Sequence, residues 1–177
     1  MPEDPRLSVR VLTAADAPAY REVRLAGFRN DPLAFVTTAG EYGARPLSEI
    51  AARLDPTLEV VNFGAFQGGG LVGILTVLRE TRPTLAHRAL IVGVSVLPEA
   101  RGRGAGAALV GAGVAQARAW TGVTSLHLSV TETQDAARRL YERHGFRVWG
   151  TEPDAVRHGE TVYAQHHLWL DLKESRA

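Results

Sequence analysis

The sequence predicts an α/β domain with a mixed, mostly antiparallel and twisted sheet of about seven strands and helices on both faces. Three observations carry the prediction. Short aliphatic and β-branched runs recur from Ser8 to Leu172. Two of them are joined by Gly68-Gly-Gly70, which makes an antiparallel hairpin. Others are separated by helical stretches, which make crossovers, so the order reads β-α-α-β-β-β-α-β-α-β-β.

Residues 8–12 alternate as a short strand, and Thr13-Ala-Ala-Asp16 supplies the cap of a helix through Tyr20, Val23, Leu25 and Phe28. Asn30-Asp-Pro32 ends that helix, and residues 33–45 read as a loop. Residues 46–54 have the spacing of a short second helix, stopped by Asp55-Pro56. The hairpin strands are 60–67 and 71–79. Beyond Arg82-Pro83, residues 89–96 form a third long apolar strand, followed by a helix from about 103 to 120 whose small residues allow it to lie close to a sheet. Residues 125–130 set Leu126, Leu128 and Val130 on one face and His127 and Ser129 on the other. A helix at about 135–144 stops at Gly145, a residue suited to the left-handed position past a helix end. Strands at 146–150 and 161–172 surround the turn Arg157-His-Gly159, and residues 173–177 read as a frayed tail.

With 177 residues, 45% of them hydrophobic, the chain is expected to form one domain over 1–177 with its core at about 8–172. Twenty basic and nineteen acidic residues leave a charge of +1, which gives no general attraction to nucleic acid or to a membrane surface. There is no cysteine, which excludes disulfides, thiolate metal sites and thiol nucleophiles. The first ten residues lack an export pattern and no apolar run is long enough to span a bilayer, so a cytoplasmic protein is expected. The adjacent His166 and His167 point to opposite faces of a strand, and no histidine spacing suggests a metal.

The most informative stretch is Val94-Ser95-Val96-Leu-Pro-Glu-Ala-Arg101-Gly102-Arg103-Gly104-Ala105-Gly106-Ala107, an apolar strand that empties into a glycine-rich turn opening a helix. Such a helix start offers unpaired N–H groups and positive dipole to an anion. Small residues admit a phosphate, and Arg101 and Arg103 add charge beside it. The stretch is no dinucleotide fingerprint, because Pro98-Glu-Ala-Arg101 separates strand from glycines and the next strand ends without an acidic residue. Nor is it a nucleoside-triphosphate loop, since no Gly-Lys-Ser/Thr follows.

Arg101-x-x-Gly104-x-Gly106 after an apolar strand, followed by Ala137-Arg-Arg-Leu-Tyr141-Glu-Arg-His-Gly-Phe146, resembles the GCN5-related N-acetyltransferase (GNAT) superfamily. The likeness extends from about Ser8 to Leu172. It implies acetyl-CoA as co-substrate and an amine as acceptor. Backbone groups at Val94, Ser95 and Val96 would hold the pantetheine arm, and residues 101–107 the pyrophosphate, through main-chain N–H groups. Tyr141 matches a tyrosine that protonates the departing thiolate, although a helix tyrosine can also be a core residue. Gln134 stands where the pattern has asparagine three residues before Ala137, and can reach the pantetheine with its longer arm. Similar proteins often form homodimers.

The chain departs from the pattern at the base. Positions that carry glutamate in similar proteins are here Leu90 and Ser129. His127, Glu41 in the loop between the first two helices, and proton loss through water are the readings open to it. The expected activity is acetyl transfer from acetyl-CoA to a primary amine of a small molecule or a protein N-terminus, by direct attack in a ternary complex. The alternative is a non-catalytic acyl-CoA-binding or regulatory module, suggested by the missing carboxylates at 90 and 129.

Overall fold

The structure, a computed structural model, describes residues 6–173. Its strands are β1 (Ser8–Val11), β2 (Val60–Gln67), β3 (Gly70–Arg79), β4 (Arg88–Val96), β5 (Ser125–Thr131), β6 (Arg147–His158) and β7 (Thr161–Asp171). They form one seven-stranded sheet in the order β1-β2-β3-β4-β5-β7-β6. Every neighbouring pair is antiparallel except β4 and β5. That pair is parallel because a helical crossover connects it.

The helices are α1 (Ala17–Asn30), α2 (Ala39–Gly43), α3 (Leu47–Ala52), α4 (Ala105–Ala119) and α5 (Asp135–Arg143). Strand alternation separates them into two layers. On β3, Ile74 packs among Leu12, Val23, Phe28 and Ile50, beneath α1 and α3. Its neighbours Leu75 and Val77 pack among Leu109, Val110 and Val114 of α4. The second core also takes in Tyr141 of α5 and Phe146. Thus helices cover both faces, as the sequence predicts.

Three stretches differ from expectation. The 33–45 loop contains α2, because Thr38 and Glu41 form a reciprocal capping box. The helix expected from 103 starts at Ala105, because Gly102 (φ +71°) and Gly104 (φ +90°) are left-handed and lie outside it. The strand expected at 146–150 extends to His158. Pro153 breaks its pattern, but β6 is an edge strand, and its pairing with β7 shifts register between Glu152 and Val156, where a proline is tolerated. Of the tail expected at 173–177, only Lys173 lies within the described residues. Among the described residues, no helix is long and apolar enough to cross a membrane.

Two irregularities shape the centre of the sheet. Ile74 pairs with Ser95 and Thr76 with Val92, so Gly93 and Val94 together face one residue of β3 and β4 bulges there. The parallel ladder holds only Arg88–Leu90 against Ser125–His127. Beyond it β4 and β5 part.

Candidate active site

Where the two strands part, a cavity of about 510 Å³ opens between them. Val94, Ser95 and Val96 line one wall, and Leu128 to Thr131 the other. Arg101, Gly102, Gly104, Gly106 and Ala107 close one end, and Gln134, Ala137, Leu140 and Tyr141 of the α5 region form the floor. The expected cofactor residues therefore meet in one place, with two exceptions. Arg103 is exposed and off the wall, and Ala105 is buried toward the core.

The cradle end suits a phosphate. Gly104 is the N-cap of α4, and no side chain caps the helix. Its first N–H groups therefore lack a capping partner and sit at the positive end of the dipole. Arg101 does not stand free beside them. Its Nε donates to the carbonyl of Val96 at 3.0 Å, and a terminal nitrogen is ion-paired with Asp31 at the end of α1. Arg101 thus ties the cradle to α1, while Arg143 adds a second cationic side chain to the cavity wall. Thr131 is buried on the same wall, and its hydroxyl has no hydrogen-bond partner among the described residues. A buried polar atom is ordinarily satisfied. The uncapped start of α4 fits a co-substrate that carries phosphate, as acetyl-CoA does.

Tyr141 reaches the cavity from α5. Its ring meets Phe146 edge-on at 5.9 Å, and burial pushes its phenol upward from its usual range, so it stays protonated at neutral pH.

A second cavity, about 440 Å³, adjoins the first at Ala34, Phe35, residues 91–93, Leu128 and Ser129. Arg24 of α1 is stacked over Phe28 and Phe35, at 4.8 and 5.3 Å from the ring centroids, and donates to the carbonyl of Gly93 at 3.1 Å. On the opposite wall Ser129 Oγ lies 2.8 Å from His167 Nδ1, and His167 Nε2 lies 3.0 Å from Glu152 Oε2. An ionised carboxylate only accepts, so Nε2 carries the proton and Nδ1 accepts from the serine hydroxyl. Trp149 flanks the imidazole, with ring centroids 5.5 Å apart.

Of the two expected bases, one lines this second cavity and the other lines neither. His127 lines this second cavity but not the donor cavity; its Nε2 lies 3.0 Å from Ser125 Oγ. Burial, and then the charges of Arg88 and His87, hold its pKa down at about 4, which makes it a weak proton acceptor. Glu41 is on neither wall. Its carboxylate accepts from the N–H and hydroxyl of Thr38, both at 2.8 Å, and these bonds hold its pKa below the usual range. The Thr-x-x-Glu spacing of a capping box was the signal for that role. His167, weighed from the sequence only as a metal ligand, and Glu152 are brought to Ser129 by the β5-β7-β6 pairing. Among the described residues, no three histidine or acidic side chains are placed to hold a metal.

The fold and sequence are shared with acetyltransferases. The protein resembles the Salmonella typhimurium protein yncA, solved with its cofactor acetyl-CoA, with a TM-score of 0.77 and 19% identity over 97% of each chain. A GCN5-related N-acetyltransferase from Kribbella flavida has a TM-score of 0.72 and 26% identity, covering 93% of this chain and 97% of that one. A mycothiol acetyltransferase of Salinispora tropica is 31% identical over 138 residues, 76% of this chain. This chain spans only 42% of that relative's length. The sequence profile of the Acetyltransferase (GNAT) family matches residues 28–146, which hold the parted strands, the cradle and Tyr141. The chain belongs to the GNAT family of acetyltransferases.

Proposed function

We propose that the protein transfers an acetyl group from acetyl-CoA to a primary amine by direct attack within a ternary complex. The observation that carries this is the meeting of the two cavities at Gly93 and Ser129, with Tyr141 on the floor of one and the Ser129–His167–Glu152 chain on the wall of the other. The pyrophosphate would rest on the uncapped start of α4 and the pantetheine between β4 and β5.

The amine nitrogen attacks the thioester carbonyl carbon, and backbone donors of the bulged strand polarise its oxygen. The ammonium formed gives up a proton through Ser129 to His167 Nδ1, while Glu152 stabilises the resulting imidazolium. The C–S bond then breaks, and the thiolate takes the Tyr141 proton, which solvent restores. The His167–Glu152 pair offers a proton acceptor that Leu90 and Ser129 lack, which favours turnover over a passive acyl-CoA-binding module.

Calorimetric titration with acetyl-CoA tests the donor half. Saturable one-to-one binding is expected, and no binding at high micromolar concentration overturns the reading. Thiol release from acetyl-CoA across a panel of amines tests the transfer. Turnover with any amine is expected, and release unchanged by every amine leaves the passive module as the better account.

A further inference from the structure

The acceptor-side cavity has an unusual charge balance for a site that must receive an ammonium group. Among the described residues its ionisable lining is Arg24, Arg88, His127 and His167, with no carboxylate. Glu152 stands behind His167 and is engaged by it. Arg24 has one terminal nitrogen bonded to Gly93, and its Nε is buried with no partner among the described residues. The Nε of Arg88, at the start of β4, is likewise buried with no partner among the described residues. Among the described residues neither guanidinium faces a carboxylate across this cavity, so an anion bound there would offset their charge, and a carboxylate matches their planar geometry.

We propose that the acceptor is an α-amino acid with an apolar side chain, whose carboxylate is held by Arg24, with Arg88 extending the positive wall. This deepens the acetyl-transfer reading and rests on it. Arg24 is fixed against Gly93, where the two cavities meet, and in an α-amino acid the carboxylate carbon is two bonds from the nitrogen. Binding the carboxylate there places the amine beside the thioester position. The positive wall repels a simple ammonium ion but accepts a zwitterion, and it favours the neutral amine that must attack. Phe28, Phe35, Leu90, Val92 and Trp149 supply apolar walls for the side chain.

The test compares three forms of each acceptor in acetyl-CoA turnover: the common L-amino acids, their carboxamides and their decarboxylated amines. The expected result is that leucine- or phenylalanine-like acids exceed their amides and amines by about 30-fold or more in kcat/KM. Arg88→Gln is expected to raise KM for the acids by about tenfold with little change in kcat, and to leave the amides unmoved. Amides or simple amines turned over as well as the acids overturn the proposal, as does failure of every amino acid while acetyl-CoA still binds. Preference for a peptide N-terminus, which has no neighbouring carboxylate, overturns it too. Failure of acetyl-CoA itself to bind would instead overturn the transfer reading.

Discussion

Arg24 donates to the carbonyl oxygen of Gly93 at 3.1 Å, so one side chain of α1 fastens the bulge of β4. Gly93 has φ +64°, and a Cβ there would come within 2.9 Å of the same arginine nitrogen. Gly93→Ala is therefore expected to destabilise the fold by about 1–3 kcal/mol and to slow turnover, because the left-handed conformation and the contact are both disturbed. Urea unfolding measures the first, and a change of only a few tenths would show that the bulge relaxes freely.

Gly104 presents the simpler case. At φ +90° an added Cβ would meet nothing closer than Leu7 Cδ2 at 3.9 Å, so the penalty is conformational. Gly104→Ala is expected to lose about 1–2 kcal/mol in stability. Rearrangement of the helix start should also weaken acetyl-CoA binding about tenfold, equivalent to ~1.4 kcal/mol, read by calorimetry.

Tyr141→Phe removes the phenolic proton and keeps the ring against Phe146. A loss of about 10²-fold in kcat is expected, with acetyl-CoA affinity and melting temperature near wild type. Undiminished turnover would reduce Tyr141 to a packing residue.

The proposed proton acceptor, His167, can be tested apart from the donor site. His167→Gln is expected to cut kcat about 10²-fold, with acetyl-CoA affinity and melting temperature near wild type. A matching loss of acetyl-CoA affinity or of melting temperature would point to a structural role.

His127 predicts a pH effect on stability rather than on catalysis. Its folded-state pKa of about 4 lies below the ordinary 6.5, so between these values the unfolded chain binds the extra proton. Stability should fall as pH drops from about 6.5 to about 4 and be unaffected by this residue at higher pH. His127→Gln should remove about 1–2 kcal/mol of that slope, allowing for solvent screening of a half-buried ring. Chemical denaturation of both proteins across this range checks it.

What the sequence disclosed was local. The Gly68-Gly-Gly70 hairpin, the stop of α5 at Gly145 (φ +89°) and the cradle depend on residues close in the chain, and their turn chemistry is visible there. The donor cavity followed because its residues form two short motifs. The acceptor side was not legible in the same way. His167, Glu152 and Ser129 come from three strands whose register is set by pairing across the sheet, with a shift at Val148/Gly150 that no local pattern announces. Arg24 reads as one polar position on an amphipathic helix, and only its packing over Phe28 and Phe35 shows it turned inward.

The short ladder between β4 and β5 leaves the sheet as two half-sheets, β1 to β4 and β5 to β6, which share three paired positions. A donor molecule lodged in the gap, as proposed, would touch both halves and act as a tie beam between them. Occupancy and folding are then linked, since a ligand bound only by the native state stabilises it in proportion to RT ln(1 + [L]/Kd). The resistance of this protein to unfolding would track the supply of its donor, and the enzyme would be sturdiest when acetyl-CoA is plentiful.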